Sequence, residues 1–279
     1  MTYLTLEETR ERVAPSDIWK LDPVLEALLK RQIYSLPSTK NLSKLECRYP
    51  EDKKSLRAFL DKFFARHLFQ VQNAILQQDT FERLLQAIRN ENVTIADIGC
   101  GPAVASIAIL NLISHICVKT KKAIKVSVVL NDNATEILSV GKSMLDTYAK
   151  QLNNIYVTQN IALDTPFPDS MVQLRRISNM LAPYDLCCLS YVLIPLKEEA
   201  SYNKINEQLQ NLVGCCNSRG TGLIVQDKFR ESLARHLGSL LKASVKKLNL
   251  CQKIYDSNNS FSEYSYDYFR IAFFPDNTY

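Results

Sequence analysis

Asp97, Gly99 and Gly101 fall within the run Ile95-Ala96-Asp97-Ile98-Gly99-Cys100-Gly101-Pro102-Ala103-Val104-Ala105-Ser106-Ile107-Ala108-Ile109-Leu110. An apolar, β-branched segment there meets a glycine-rich turn and then an apolar helical run. Strand, tight turn and buried helix in that order bring backbone N–H groups and the positive end of a helix dipole to one end of a sheet. Such a junction suits a polar, nucleotide-like small molecule. A second acid, Asp132, closes the next apolar run, Val128-Val129-Leu130-Asn131-Asp132-Asn133.

These residues work together only if their strands end along one edge. After the glycine turn the pattern predicts a helix to about residue 113, a basic connector (Lys119, Lys121, Lys122, Lys125) and a strand over 126–130. A helix over 135–150, a strand near 155–158, a helix over 170–181 and a strand over 185–190 follow. Next come a helix over 200–213, a strand over 222–226, a helix over 229–241 and a closing pair near 245–250 and 268–274. The alternation implies an α/β chain with a doubly wound, mostly parallel, seven-stranded sheet. The closing pair, with no helix between, implies a C-terminal β-hairpin at one edge.

Residues 1–90 read as an N-terminal helical cap and 91–279 as the sheet domain, with no Gly/Ser- or Pro-rich linker between them. Ser16-Asp17-Ile18-Trp19 resembles a helix start, Leu21, Val24, Leu25, Leu28 and Leu29 keep helical spacing, and Pro23 is tolerable in a first turn. The segment from Leu56 through Phe59, Leu60, Phe63, Phe64 and Leu68 to Val71 repeats every three or four residues, and Phe81, Leu84, Leu85 and Ile88 form a third apolar face. Lys53, Lys54, Arg57, Lys62 and Arg66 are interleaved with Glu51, Asp52 and Asp61, which describes a solvated helix surface. His67 either packs within its aromatic-rich helix or lines the mouth of a site as a catalytic group.

The 279 residues suffice for a sizeable core without disulfides, and a hydrophobic fraction of 46% with 23% charged residues excludes a disordered chain. A net charge of +5 is too small to require a nucleic-acid partner. No signal-peptide pattern or membrane-length apolar window is present, so a cytoplasmic chain is expected. The 8 cysteines include the pairs Cys187-Cys188 and Cys215-Cys216 but no Cys-x-x-Cys spacing, so buried reduced thiols are expected and no metal.

Over residues 93–279 the motifs resemble the class I, Rossmann-like S-adenosylmethionine-dependent methyltransferases. That family's first strand leads through an acid into Gly-x-Gly-x-Gly, matched by Asp97, Gly99 and Gly101, with Ala103 in place of the third glycine. Alanine is tolerable there if its φ is negative. The resemblance implies S-adenosylmethionine as cofactor. Asp97 would face its methionyl amino group, Asp132 its ribose hydroxyls, and Asn133 would flank the adenine. Asn160 would approach the adenine amino group, with Asp164 as the rival. Ser190, Tyr191 and Val192 would close the fourth strand where cofactor and acceptor meet.

Tyr191 would either orient or deprotonate an acceptor, or pack on the cofactor. The distance from the glycine turn to Asp132 exceeds that of a nicotinamide fingerprint. An Asp/Asn-Pro-Pro-Tyr/Phe sequence and a Pro-Cys nucleophile are both absent. The expected activity is methyl transfer to an oxygen or nitrogen of a small molecule or RNA. The alternative is a non-catalytic RNA- or ribosome-associated binding or assembly protein on the same fold. Its basis is that Ser190-Tyr191-Val192-Leu193 and the helical extension are similar to methyltransferase-like proteins of the mitochondrial or bacterial small ribosomal subunit.

Overall fold

Strand composition sets the order of the sheet. β1 (Asn92–Ile98) and β2 (Ile124–Asn131) are almost continuously buried, as strands covered on both faces must be. They lie inside a seven-stranded sheet completed by β3 (Ile155–Leu163), β4 (Tyr184–Ser190), β5 (Cys216–Asp227), β6 (Ser244–Tyr255) and β7 (Phe261–Phe273), ordered β3-β2-β1-β4-β5-β7-β6. The first five strands are parallel, and β7 runs antiparallel to both β5 and β6. In this computed structural model the described residues are 5–13, 21–37, 52–118, 123–191, 202–227, 231–255 and 261–275.

Helices cover both faces. The larger core lies between the sheet and α2 (Pro23–Ser35), α3 (Lys53–Lys62), α4 (Phe64–Ile75), α5 (Gln78–Arg89), α6 (Val104–Val118) and α7 (Thr135–Ala149), while α1 (Leu6–Val13) adds Leu6 at its margin. The smaller core packs α8 (Met171–Met180), α9 (Tyr202–Val213) and α10 (Glu231–Leu240) on the other face. Alternation along the strands divides the two: Ile95 belongs to the first core, and Ala96 and Ile98 to the second. Twelve of the fifteen residues of α6 are buried, as expected of a helix that is apolar all round and sits between the sheet and another helix layer.

The N-terminal helices are fastened to this body by polar groups as well as apolar ones. Asp22 caps α2 through the Leu25 N–H (2.9 Å), and its other oxygen accepts from Asn111 of α6 (2.9 Å) and the Tyr148 hydroxyl of α7 (2.8 Å). Gln72 of α4 donates to the Asn111 side-chain oxygen at 2.7 Å. On β7 the fully buried Arg270 donates to the Ala74 carbonyl (2.9 Å), to both oxygens of Asp79 (3.2 and 2.5 Å) and to the Thr80 hydroxyl.

Several boundaries differ from the sequence pattern. The expected helix start at 16–19 lies outside the described residues, and α2 is capped at Asp22 instead. The continuous period from Leu56 to Val71 divides into two helices at Phe63. β3 runs on to Leu163 and β5 begins at Cys216, both beyond their apolar runs, because pairing with a neighbour carries a strand through polar residues.

Candidate cofactor and acceptor site

The turn after β1 is built from three left-handed residues. Gly99 (φ 62°) and Gly101 (φ 52°) adopt that conformation at little cost, but Ala103 (φ 59°) adopts it as well. The condition under which alanine is tolerable there, a negative φ, is not met, and a Cβ in the left-handed region costs about 1–2 kcal/mol. Hydrogen bonds hold the turn in place. The Cys100 N–H donates to the Asn131 carbonyl (3.0 Å), the Gly101 N–H to Asp132 Oδ2 (2.8 Å) and the Ala103 N–H to the Cys100 carbonyl (2.9 Å). Gly141 of α7 packs against the back of the turn, where a Cβ would lie 2.7 Å from the Gly101 oxygen and 2.9 Å from the Ala103 nitrogen.

Two buried carboxylates flank the turn. Asp97 is fully buried, and its Oδ2 accepts from the Ser106 N–H (2.9 Å) and hydroxyl (2.7 Å) at the start of α6. Its Oδ1 has no partner. Burial raises the Asp97 carboxyl to about 7 against the opposing pull of the Ser106 bonds, and the neighbouring Asp132 adds to the rise. Asp132, also buried, spans from Gly101 to the Ala134 N–H, which donates to Oδ1 at 2.9 Å. The Cys100 thiol between them is held protonated by burial and by both acids.

This geometry changes the ligand that the turn can hold. Three of its N–H groups point into the protein, so they do not form the cradle that a pyrophosphate requires. Two carboxylates stand beside it. The turn therefore favours a ligand that brings a cationic group and hydroxyl donors.

At the end of β2, Asn131 is fully buried. It donates to the Leu163 (3.2 Å) and Thr165 (2.7 Å) carbonyls and accepts from the Ser170 hydroxyl (3.1 Å). That clasp brings the end of β3 alongside Asp132, with Asn133 and Asp164 exposed on either side. Asn160 is not among these groups. It pairs with Val128 in mid-strand and donates to Asp146 of α7 (2.8 Å), while its carbonyl accepts from Lys142 (2.6 Å). A register shift between Val126 and Ser127 and the length of β3 move the strand end past it.

Ser190 is the last residue of β4, half-buried, and Tyr191 follows in a left-handed conformation (φ 63°) with its N–H on the Val225 carbonyl (2.9 Å). Its ring stacks on His67 of α4, with centroids 3.7 Å apart and planes 9° from parallel, and its hydroxyl donates to Gln70. Phe59 and Phe63 complete an aromatic wall around His67. Burial, reinforced by Arg66, pushes the His67 imidazole well below its usual range, so it is neutral. The two catalytic candidates, far apart in sequence, thus touch at the end of β4.

Sequence reasoning missed Ser106, Gly141 and Gln70. Of these, only the glycine inside a helical pattern carried a local signal. Among the described residues no His, Cys, Asp and Glu side chains form a group able to hold a metal ion, and the cysteines described are free and buried.

The strand order reverses direction between β1 and β4, at the edge where Asp97, the glycine turn and Asp132 converge, and β7 enters antiparallel between β5 and β6. This is the Rossmann-like methyltransferase fold. No family model matches the sequence, and no curated protein matches it. Among solved structures, the methyltransferase fold here is similar to a precorrin-6Y C5,15-methyltransferase from Geobacter metallireducens, with 13% identity, 70% of this chain and 87% of that one covered, and a TM-score of 0.43. An O-methyltransferase family protein from Burkholderia thailandensis matches with 10% identity over 80% of this chain and 60% of that one, at a TM-score of 0.45. The O-methyltransferase TomG from Streptomyces achromogenes, in complex with SAM, matches with 11% identity over 91% of each chain, at a TM-score of 0.44. Among the described residues no helix is long and apolar enough to cross a membrane.

Proposed function

We propose that the chain is an S-adenosylmethionine-dependent methyltransferase acting on an oxygen or nitrogen of a small-molecule or RNA acceptor. The observation that carries this reading is the unpartnered Oδ1 of the fully buried Asp97, beside a turn whose Cys100, Gly101 and Ala103 N–H groups are already used. Such an oxygen needs a cationic or strongly donating partner, and the methionyl ammonium of the cofactor is one. Asp132 would take the ribose hydroxyls, since a carboxylate accepts two O–H bonds side by side. Asn133 and Asp164 would border the adenine, and the left-handed Gly99, Gly101 and Ala103 let the backbone approach it closely. Bound there, the cofactor supplies a methyl group on a sulfonium that needs no further activation.

The chain's own contribution is alignment. Ser190 and Tyr191 lie at the end of β4, where Tyr191 meets His67 and Gln70 of α4. The Tyr191 hydroxyl spends its proton on Gln70, which leaves its oxygen to accept from an acceptor O–H or N–H and orient the nucleophile. Neutral His67 holds the tyrosine ring by stacking. The buried free cysteines support placing the protein in a reducing cytoplasm.

Isothermal titration with S-adenosylmethionine and S-adenosylhomocysteine tests the reading. Binding by the wild type is expected, and Asp132→Ala is expected to weaken it by about 1.5–3 kcal/mol, the usual loss for hydrogen bonds to a charged acceptor. No detectable binding at millimolar ligand would turn the assignment to the non-catalytic alternative.

A further inference from the structure

Arg66 stands in the first turn of α4, beside His67, and its guanidinium carbon lies over two rings, 4.7 Å from the centre of Phe63 and 4.9 Å from that of Tyr266. Its Nε is covered and has no hydrogen-bond partner, and among the described residues its terminal nitrogens meet no carbonyl or carboxylate either. Other arginines are committed: Arg57 and Arg83 donate to the Leu36 and Gly220 carbonyls, Arg235 pairs with Glu231, and Arg270 is latched to Asp79. Arg66 is only half-buried, as are Phe63, Tyr266 and Tyr191, so a ligand can reach this group from solvent. The register puts it at the acceptor end of the sheet. Asp227 of β5 pairs with Tyr268 of the antiparallel β7, so Tyr266 extends past the end of β5, on the edge where the Tyr191 N–H meets Val225. Tyr266 and Tyr191 both pack against the larger core, the face that α4 covers. Phe63 joins the two, since its ring is 5.9 Å from that of His67, which stacks on Tyr191 at 3.7 Å.

A guanidinium resting on aromatic rings is held in place without spending its N–H groups, which lie at its rim as a planar fork matched to two carboxylate oxygens. An arginine that served only to cover apolar surface would carry its whole head into water, whereas the Nε here is closed in. We propose that Arg66 binds a carboxylate of the acceptor, a small aromatic acid whose nucleophilic oxygen or nitrogen reaches Tyr191. This rests on the acceptor approaching the end of β4, as the proposed function has it. One cation balances one negative charge. Neutral His67 adds no second one, so the further charge of a phosphate monoester would stay unpaired. An RNA backbone calls for a row of cations, but Lys53 is drawn to Glu136 and Arg57 to the Leu36 carbonyl. The rings of Phe59, Phe63, His67 and Tyr191 supply the contacts that a flat aromatic body takes.

Three probes on the full chain decide the point, each titrated through the millimolar range and followed by saturation-transfer NMR: benzoate, benzamide, which has the same shape without the charge, and phenyl phosphate. Benzoate is expected to bind the wild type about tenfold or more tighter than benzamide, and Arg66→Gln to lower the benzoate affinity by a similar factor, as befits hydrogen bonds to a charged group. Benzamide binding as well as benzoate, or benzoate binding unchanged in Arg66→Gln, would overturn the inference. Phenyl phosphate binding tighter than benzoate would overturn it too and turn the site toward phosphorylated acceptors, RNA among them. Should Arg66→Gln lose its cooperative thermal transition, Arg66→Lys is measured instead: it keeps the charge but not the fork, so weaker benzoate binding is expected and unchanged binding would overturn the inference. Titration of S-adenosylhomocysteine in the same samples separates this result from the cofactor assignment. A protein that ignores that ligand but selects benzoate keeps the carboxylate site and loses the cofactor, and one that binds it but ignores benzoate loses this inference alone.

Discussion

On the proposed reading, Asp97 couples ligand binding to protonation. Its carboxyl is raised to about 7 in the free protein against about 3.9 in an unfolded chain. Between those values the folded state carries the extra proton, so the free protein loses stability as pH climbs from about 4 to about 7. Binding of a cationic group at Oδ1 runs the other way, since only the ionised form pairs with it. Affinity for S-adenosylhomocysteine should therefore rise with pH up to about 7 and then level off, by at most about tenfold per unit. Calorimetry from pH 5.5 to 8 checks this, and Asp97→Asn is expected to bind weakly with a flat profile. An unchanged slope in that variant would assign the linkage to another group. Ala103 offers a cleaner stability test. Replacing it with glycine removes the left-handed strain, and denaturant unfolding should show a gain of about 1 kcal/mol, or no gain if the turn relaxes in solution.

At the scale of elements, α7 is the backstop of the glycine turn. Gly141 lies mid-helix, where alanine would ordinarily add about 1 kcal/mol, yet its missing Cβ leaves room for backbone atoms of the turn. Gly141→Ala is expected to cost about 1–3 kcal/mol by overpacking and to weaken cofactor binding by displacing Gly101, both read from one thermal titration with and without ligand. The same pair of elements shows what was legible in the sequence. The order of strands and helices, the glycine turn and Asp132 were plain because each is a local pattern of apolar period, glycine and acid. The end of β3 was not legible, because β3 is an edge strand whose polar residues resemble a loop, and its run past Asn160 to Leu163 is fixed by pairing with β2. Gln70 and Ser106 left no local mark, since what singles them out is a contact with residues more distant in sequence. The stack of His67 on Tyr191 is of that kind too: each residue was a plausible candidate alone, and only the fold joined them.

Across the whole molecule, Arg270 holds the cap helices to the sheet. Its guanidinium, fully buried, outweighs the burial that pushes the Asp79 carboxyl up, and holds it below its usual range. Removing one partner leaves the other charge unpaired, so Asp79→Ala is expected to cost about 3–5 kcal/mol in denaturant unfolding. A loss under about 1 kcal/mol would show that the pair adds nothing net. Because the folded carboxyl is depressed, this contribution is complete above the unfolded value near 4 and disappears as pH falls through the lower folded value. The latch also orders events during synthesis. Asp79 and Arg270 are separated by 191 residues, which a ribosome adds in about 10–40 s. During that interval α4 and α5 have left the tunnel without the partner that pins them, and β6 emerges before β7, its neighbour in the sheet. The arrival of β7 completes the sheet edge and secures the cap in one step.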